Sequence, residues 1–135
     1  MLRAPRFWFI LVTVWFVVLF ILSNTSNLHP PGPEFEYKDK VLHALYYSMG
    51  GAWFFAGMRL FNPTRSALMT AVFTVLFCST VGIFDEWHQS FIPNRSGNDF
   101  GDWCADTFGG VLGSSFGIFV LRLLDRVSTK EGSRK

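Results

Sequence analysis

Four long apolar stretches dominate the sequence, and they restrict the folds open to it more than any other feature. Each approaches the roughly 20 residues that an α-helix needs to cross a bilayer. They predict helices at about residues 7–23, 41–61, 66–90 and 103–124. Half of all residues are hydrophobic and 18% are aromatic, more apolar bulk than the core of so short a soluble chain can hide. The expected fold class is all-α, an integral membrane four-helix bundle in a single domain over residues 1–135.

The first stretch has an alternative interpretation as a cleaved signal peptide, because Arg3 and Arg6 precede it. Three features favour an uncleaved membrane helix instead. The segment is long, it is rich in bulky aromatic residues, and it has no clear small-x-small cleavage site. The loop that follows contains Pro30, Pro31 and Pro33, which predict an extended, non-helical connection.

The distribution of basic residues predicts the orientation in the membrane. If all four stretches span, nine of the twelve basic residues lie on the same side as the N-terminus. These nine are Arg3, Arg6, Arg59, Arg65, Arg122, Arg126, Lys130, Arg134 and Lys135. Basic residues are enriched in cytoplasmic loops. Both termini are therefore expected in the cytoplasm, with residues 126–135 as a basic cytoplasmic tail.

Small residues recur every four positions in the second and fourth predicted helices. The two sets are Ala44, Ser48, Ala52 and Ala56 in the second helix, and Ala105, Gly109, Gly113 and Gly117 in the fourth. Small residues at this spacing let two helix backbones approach closely in a membrane. We therefore expect the second and fourth helices to contact each other. A homo-oligomer formed through Gly109, Gly113 and Gly117 is the alternative use of the glycine set.

Ionisable residues collect at the predicted outer ends of the last three helices. Spacings of four and eight residues place Asp39, His43 and Tyr47 on one face of the second helix. The same rule pairs Asp85 with Gln89 in the third helix and Asp102 with Asp106 in the fourth. Lys40 lies beside the first group, and Arg95 lies in the loop between the last two helices.

Helix dipoles separate the acidic residues into two kinds. Asp39 and Asp102 stand near helix N-termini, where a carboxylate is favourable without any further role. Asp85 and Glu86 stand at a C-terminal end, where a carboxylate is unfavourable. They therefore require a nearby cation, metal ion, proton or ligand. A purely structural ion network with Lys40 and the other basic side chains is one way to meet that requirement.

Two blocks of these residues resemble the VanZ-like membrane protein family. The first block is Asp39-Lys40-Val41-Leu42-His43 with Tyr47. The second runs from Asp85 to Arg95 as Asp-Glu-Trp-His-Gln-Ser-Phe-Ile-Pro-Asn-Arg and continues with Asp102, Asp106, Gly109 and Gly113. Asp106 stands where the family often has Asn, and Asn94 stands where Gly is commoner. The resemblance implies a multi-pass protein of the bacterial cytoplasmic (inner) membrane. It also implies a place in the cell envelope and a link to teicoplanin resistance through the founding member, without a settled reaction.

The first hypothesis for the function is a binding module. Cationic side chains would hold an anionic lipid head group or a lipid-linked cell-wall precursor at the outer leaflet. The predicted ligand-binding residues are Asp39, Lys40, His43, Tyr47, Asp85, Glu86, Gln89, Arg95, Asp102 and Asp106.

The second hypothesis is a membrane-embedded enzyme that acts on a lipid-linked substrate by acid–base chemistry. Its catalytic candidates are Glu86, His43, Asp85 and Asp106. A divalent metal held by Asp85, Glu86, His88 and His43 is a variant of this hypothesis. The sequence has no phosphate-binding glycine loop or zinc-type helix motif, so no cofactor is expected. It has no basic patch interleaved with aromatic residues, so nucleic acid is not an expected partner.

Overall fold

The computed structural model describes residues 1–26 and 32–132, with side chains up to residue 126. Its regular structure consists of four α-helices: α1 (Pro5–Ser23), α2 (Lys38–Phe61), α3 (Ala67–Gln89) and α4 (Phe100–Gly132). The prediction of an all-helical fold with four helices is confirmed for this part of the chain. Pro30 and Pro31 lie outside it, as do the side chains of Lys130, Arg134 and Lys135.

Local chemistry explains where the helices begin. Pro5 opens α1 at the first helical position, where its missing N–H costs nothing. Ser66 caps α3, because its hydroxyl oxygen accepts a hydrogen bond from the Met69 backbone N–H at 3.1 Å. The second helix begins at Lys38, three residues before the predicted start, and thereby places Asp39 in a first turn that favours negative charge. The fourth runs well past its apolar segment to residue 132, because nothing there breaks a helix.

The second helix is the centre of the bundle, since it contacts the three other helices and makes most of the contacts that hold α1. Its most extensive contact is with α4, as the spacing of small residues predicted. A Cβ atom added at Gly113 would lie 2.5 Å from the Ser48 carbonyl oxygen, and one at Gly109 would lie 2.7 Å from the Ala44 carbonyl oxygen. The two backbones therefore approach closely, and the glycine set packs against α2 of the same chain.

Trp15 attaches α1 to this centre. Its side chain is 1% exposed, and its indole N–H donates to the Tyr46 carbonyl at 3.0 Å. The Tyr46 hydroxyl donates in return to the Trp15 carbonyl at 2.8 Å. This reciprocal pair fixes the rotation of the first half of α2, from which several of the predicted site residues project.

Three of the helices are long and apolar enough to cross a membrane: Pro5–Ser23, Ala67–Gln89 and Phe100–Arg126. Between 22% and 28% of the residues in their apolar windows are buried in the bundle, so a large share of their apolar side chains faces outward. An apolar outer surface of this kind indicates a membrane protein. The remaining predicted span, α2, has a lower mean hydropathy than these three, because glycine, tyrosine, tryptophan and histidine replace aliphatic residues in it.

Candidate functional site

Four segments meet at one end of the bundle. They are the first turns of α2, the last turns of α3, the connection at residues 90–99, and the first turns of α4. Antiparallel packing of successive helices places these ends together, as the sequence predicted for the ionisable residues. The cluster they form contains most of the acidic side chains of the described chain.

Lys40 holds three carboxylates together. Its ammonium group donates to Asp39 Oδ2, Asp99 Oδ2 and Asp102 Oδ1, each at 3.0 Å. The side chain of Asp102 is 7% exposed and that of Lys40 is 27% exposed, so the central pair is largely screened from solvent. The charge of Lys40 is therefore already matched by acidic side chains of the same protein.

Asp99 was not predicted as a site residue, although it belongs to this cluster. Its Oδ1 also accepts from the Gly101 backbone N–H at 2.7 Å, which makes it the cap of α4. The hydrogen bond from Lys40 holds the pKa of the Asp99 carboxyl below its usual value. The signal available in the sequence was an acidic residue placed directly before an apolar helix.

His43 and Asp106 form the second part of the cluster. His43 Nδ1 lies 2.9 Å from Asp106 Oδ1, and the Asp106 side chain is fully buried. Asp106 fits because a glycine, Gly82, faces it on α3: a Cβ there would lie 2.6 Å from Asp106 Oδ2. The imidazole ring of His43 stacks on Tyr47 with an interplanar angle of 7°. The predicted common face of α2 is confirmed for these two residues.

Two polar atoms in the group formed by His43, Tyr47 and Asp106 have no hydrogen-bond partner among the described residues. They are Asp106 Oδ2 and the Tyr47 hydroxyl. Buried polar groups are nearly always paired, so each such atom calls for an explanation. A ligand, an ion or a proton at the site would satisfy them.

Glu86 connects α3 to the start of α4. Its side chain is buried, and Oε2 accepts from the Asp99 backbone N–H at 2.7 Å. Its other oxygen, Oε1, has no hydrogen-bond partner in the described part of the chain. The backbone N–H of Asn98 also donates to the Glu86 carbonyl at 3.1 Å. Glu86 thus fixes the loop while keeping one carboxylate oxygen unpaired.

Asp85 belongs to a separate chain of hydrogen bonds. Gln89 Nε2 donates to Asp85 Oδ2 at 2.8 Å, and Arg95 donates through Nε and Nη2 to Gln89 Oε1 at 3.2 and 2.7 Å. Asp85 and Gln89 lie on one face, as predicted. Arg95 forms no ion pair with a described residue. Its guanidinium is linked to Asp85 only by hydrogen bonds through the neutral amide of Gln89.

His88 lies away from the cluster. Its Nδ1 is 3.1 Å from the Ser23 hydroxyl of α1, and its ring faces Phe20. The structure therefore does not place His88 beside His43. Glu86 instead belongs to a group with His43 and Asp102 among the described residues. Each of these three offers a potential metal-ligating atom within 4.8 Å of the other two.

An open groove of about 430 Å³ lies beside the cluster, between the end of α3 and the start of α4. Its apolar wall is formed by Ile83, Phe84, Trp87, Phe100 and Trp103. Glu86, Asn98 and Asp99 form its polar side. The indole N–H of Trp103 is satisfied by Ser79, 3.0 Å away at Oγ, which holds the ring in the wall. The groove therefore joins a lipid-type surface to the acidic cluster.

The fold and the site together define a helical membrane protein with a carboxylate-rich, partly buried cluster at one end of its bundle. Comparison with models of known families, with curated proteins and with solved structures found no match to this chain.

Proposed function

We propose that the protein binds the head group of an amphipathic lipid at the end of the bundle, with the apolar part of that lipid in the groove. The observation that carries the proposal is the continuity of the aromatic wall of the groove with Glu86 and Asp99. Concave sites that combine apolar walls with a few convergent polar groups are typical of small-molecule binding. A lipid presents the same two kinds of surface.

The charges at this end of the bundle support a head group with both anionic and hydrogen-bond-donating parts. Arg95 has no carboxylate partner among the described residues, and its planar guanidinium suits a phosphate. Lys40 and His43 already contact carboxylates, so they orient the acids in this proposal. The acidic side chains would accept hydrogen bonds from sugar hydroxyls or amines. A lipid-linked cell-wall precursor carries all of these groups.

The resemblance to the VanZ-like family supports a location in the bacterial inner membrane. In this proposal all four helices span the bacterial inner membrane, both termini are cytoplasmic, and the site faces outward. A cysteine introduced at exposed Ser96, in a Cys104→Ser background that keeps the buried Cys78, should react with an impermeant thiol reagent added to intact cells. A cysteine at exposed Thr64, in the opposite loop, should react only after lysis. The reverse pattern would refute the orientation.

Lipid binding is tested by purifying the protein in native lipid and measuring the bound lipids by mass spectrometry. Arg95→Ala should reduce the amount of a specific anionic lipid, because the phosphate loses its charge partner. Arg122→Ala removes the same charge from an exposed position on α4 and should leave that lipid in place. Equal loss in the two variants would mean that total charge, and not this site, holds the lipid.

The apolar half of the proposal has its own test. Trp87→Ala removes an aromatic side chain of α3 from the groove wall. Phe116→Ala removes an aromatic side chain of α4 that is 58% exposed and lies outside the groove. The first change should weaken retention of the specific lipid and the second should not. If neither affects retention, the groove does not hold the lipid chain.

An enzyme acting on the same lipid is the second candidate, and the pair formed by His43 and Asp106 favours it. A histidine oriented by a buried carboxylate, with Glu86 nearby, has the components of general acid–base catalysis. Glu86→Gln and His43→Ala should then lower turnover of a lipid-linked substrate by about 10²–10⁴-fold at unchanged membrane levels.

A link to glycopeptide resistance is tested by comparing the teicoplanin sensitivity of cells with and without the protein.

A further inference from the structure

The side chains of His43, Glu86 and Asp102 share one arrangement. Each is held by one hydrogen bond and keeps a second potential ligand atom without a partner among the described residues. His43 is held through Nδ1 by Asp106, which leaves Nε2. Glu86 is held through Oε2 by the Asp99 N–H, which leaves Oε1. Asp102 is held through Oδ1 by Lys40, which leaves Oδ2.

The contact between His43 and Asp106 is the kind of support that metal-binding histidines have. Such a histidine almost always donates its other ring N–H to a carboxylate or carbonyl, which fixes the tautomer. With Nδ1–H donated to the Asp106 carboxylate, the lone pair of His43 lies on Nε2. Asp106 is itself immobilised, because it is fully buried and packed against Gly82.

The charge balance also calls for a cation. The cluster contains six carboxylates, those of Asp39, Asp85, Glu86, Asp99, Asp102 and Asp106. The permanent cations at this end are Lys38, Lys40 and Arg95, and Lys38 pairs with Glu34 outside the cluster. A second group of three ligand-type side chains, Asp39, Asp99 and Asp102, already surrounds the Lys40 ammonium. No comparable cation of the described chain serves Glu86, whose Oε1 is buried and unpaired.

We propose that His43, Glu86 and Asp102 bind one divalent transition-metal ion, with Mn²⁺ and Zn²⁺ as the ions that suit one imidazole and two carboxylates. The structure places one ligand-type atom of each of the three residues within 4.8 Å of the others. Ligands of one ion at about 2.0–2.2 Å lie roughly 3–4 Å apart, so the atoms that are farthest apart must approach by about an ångström. Three protein ligands leave coordination positions open, as in catalytic metal sites. This inference does not depend on lipid binding.

The test uses the full-length protein in detergent micelles after treatment with a chelator. Electron paramagnetic resonance follows the loss of the free Mn²⁺ signal during titration and gives the stoichiometry and Kd, and Zn²⁺ is then added as a competitor. We expect one Mn²⁺ per chain, displaced by Zn²⁺. Pulsed measurements on the bound ion should show coupling to an imidazole nitrogen. These two results come from the unmodified protein, so they do not depend on any variant folding.

Variants then identify the ligands. His43→Ala, Glu86→Gln and Asp102→Asn should each weaken Mn²⁺ binding by more than the roughly 10–100-fold expected for loss of the supporting carboxylate in Asp106→Asn. His88→Ala is the matched control and should bind as the wild type does, because His88 contacts Ser23. Arg95→Ala should also keep the metal, which separates this inference from the lipid proposal.

Three results would overturn the metal site. One is the absence of saturable binding of either ion to the wild type at millimolar concentration. Another is a bound Mn²⁺ without nitrogen coupling. The third is a loss of affinity in His88→Ala that matches the loss in His43→Ala, since the ion would then lie elsewhere.

Discussion

Substitution of Gly113 by alanine tests how closely α2 and α4 pack. The new Cβ would lie 2.5 Å from the Ser48 carbonyl oxygen and 2.7 Å from the Ala52 backbone nitrogen. An ordinary contact needs about 3.4 Å, so the two helices must separate by roughly 0.9 Å at this point. Both neighbours are backbone atoms, and no side chain can rotate away to make room.

The expected cost follows from two opposing effects. Overpacking of this kind costs about 1–3 kcal/mol, and rigid backbone neighbours place Gly113→Ala at the upper end. This cost arises because a gap of 0.5–1 Å along the rest of the interface forfeits about a quarter to a half of its dispersion energy. Alanine returns about 1 kcal/mol through its higher helix propensity. We therefore expect the free energy of unfolding to fall by about 2 kcal/mol.

Equilibrium unfolding in mixed micelles, followed by circular dichroism, measures this change. Ser115→Ala is the matched control, because Ser115 lies two residues away on the exposed side of α4. It should alter stability by no more than about 0.5 kcal/mol. If Gly113→Ala is as stable as the wild type, the helices are farther apart than the structure shows, and the packing argument is wrong.

Further predictions concern the cluster itself. Gly82→Ala should lower thermal stability in micelles, because its Cβ would meet Asp106 Oδ2 at 2.6 Å; an unchanged Tm would mean that Asp106 is not packed there. Lys40→Met should cost about 1–3 kcal/mol of unfolding free energy by leaving Asp102 without its cation, and Asp102→Asn should restore part of it; no restoration would show that the two do not interact. The pKa of the Asp99 carboxyl is lowered in the folded state, so its contribution to the free energy of unfolding is complete above its pKa in the unfolded chain, near 3.9. That contribution is lost as the pH falls through the pKa of the folded state. Asp99→Asn should therefore show a shallower loss of stability in unfolding measurements below about pH 4. Parallel acid profiles would contradict this.

Periodicity accounts for what the sequence could reveal. Residues four apart share a helix face, so the common face of Asp85 and Gln89 and that of His43 and Tyr47 followed from spacing alone. The contact between α2 and α4 followed from the recurrence of small residues. These inferences need only the geometry of a single helix or of two helices in close contact.

The same geometry also disfavours the metal set that included both Glu86 and His88. Residues two apart on an α-helix are rotated by about 200° around the helix axis, so their side chains lie on nearly opposite faces. Glu86 therefore faces α4, whereas His88 faces α1 and contacts Ser23. Which neighbour each face meets was not available from the sequence, because it depends on how α3 is rotated against the other helices.

The two distant partners of Lys40 could not be derived from spacing. Asp99 and Asp102 are separated from it by 59 and 62 residues, and no periodic pattern connects two helices so far apart in the chain. Lys40, His43 and Arg95 were therefore equivalent as cations in the sequence. Packing distinguished them, since the first two contact carboxylates and the third contacts a neutral amide.

The lower hydropathy of α2 has a cause within this arrangement. The residues that reduce it are those that serve the interior: glycines against its neighbouring helices, Tyr46 and Tyr47 against Trp15, and Lys40 and His43 in the cluster. A helix enclosed by three others exposes less surface to lipid, so it can cross a membrane with fewer aliphatic side chains. Its 24 residues extend about 36 Å, longer than a hydrocarbon core of about 30 Å. In the proposed four-span arrangement, the helix that least resembles a membrane span is the one that holds both the bundle and the site together.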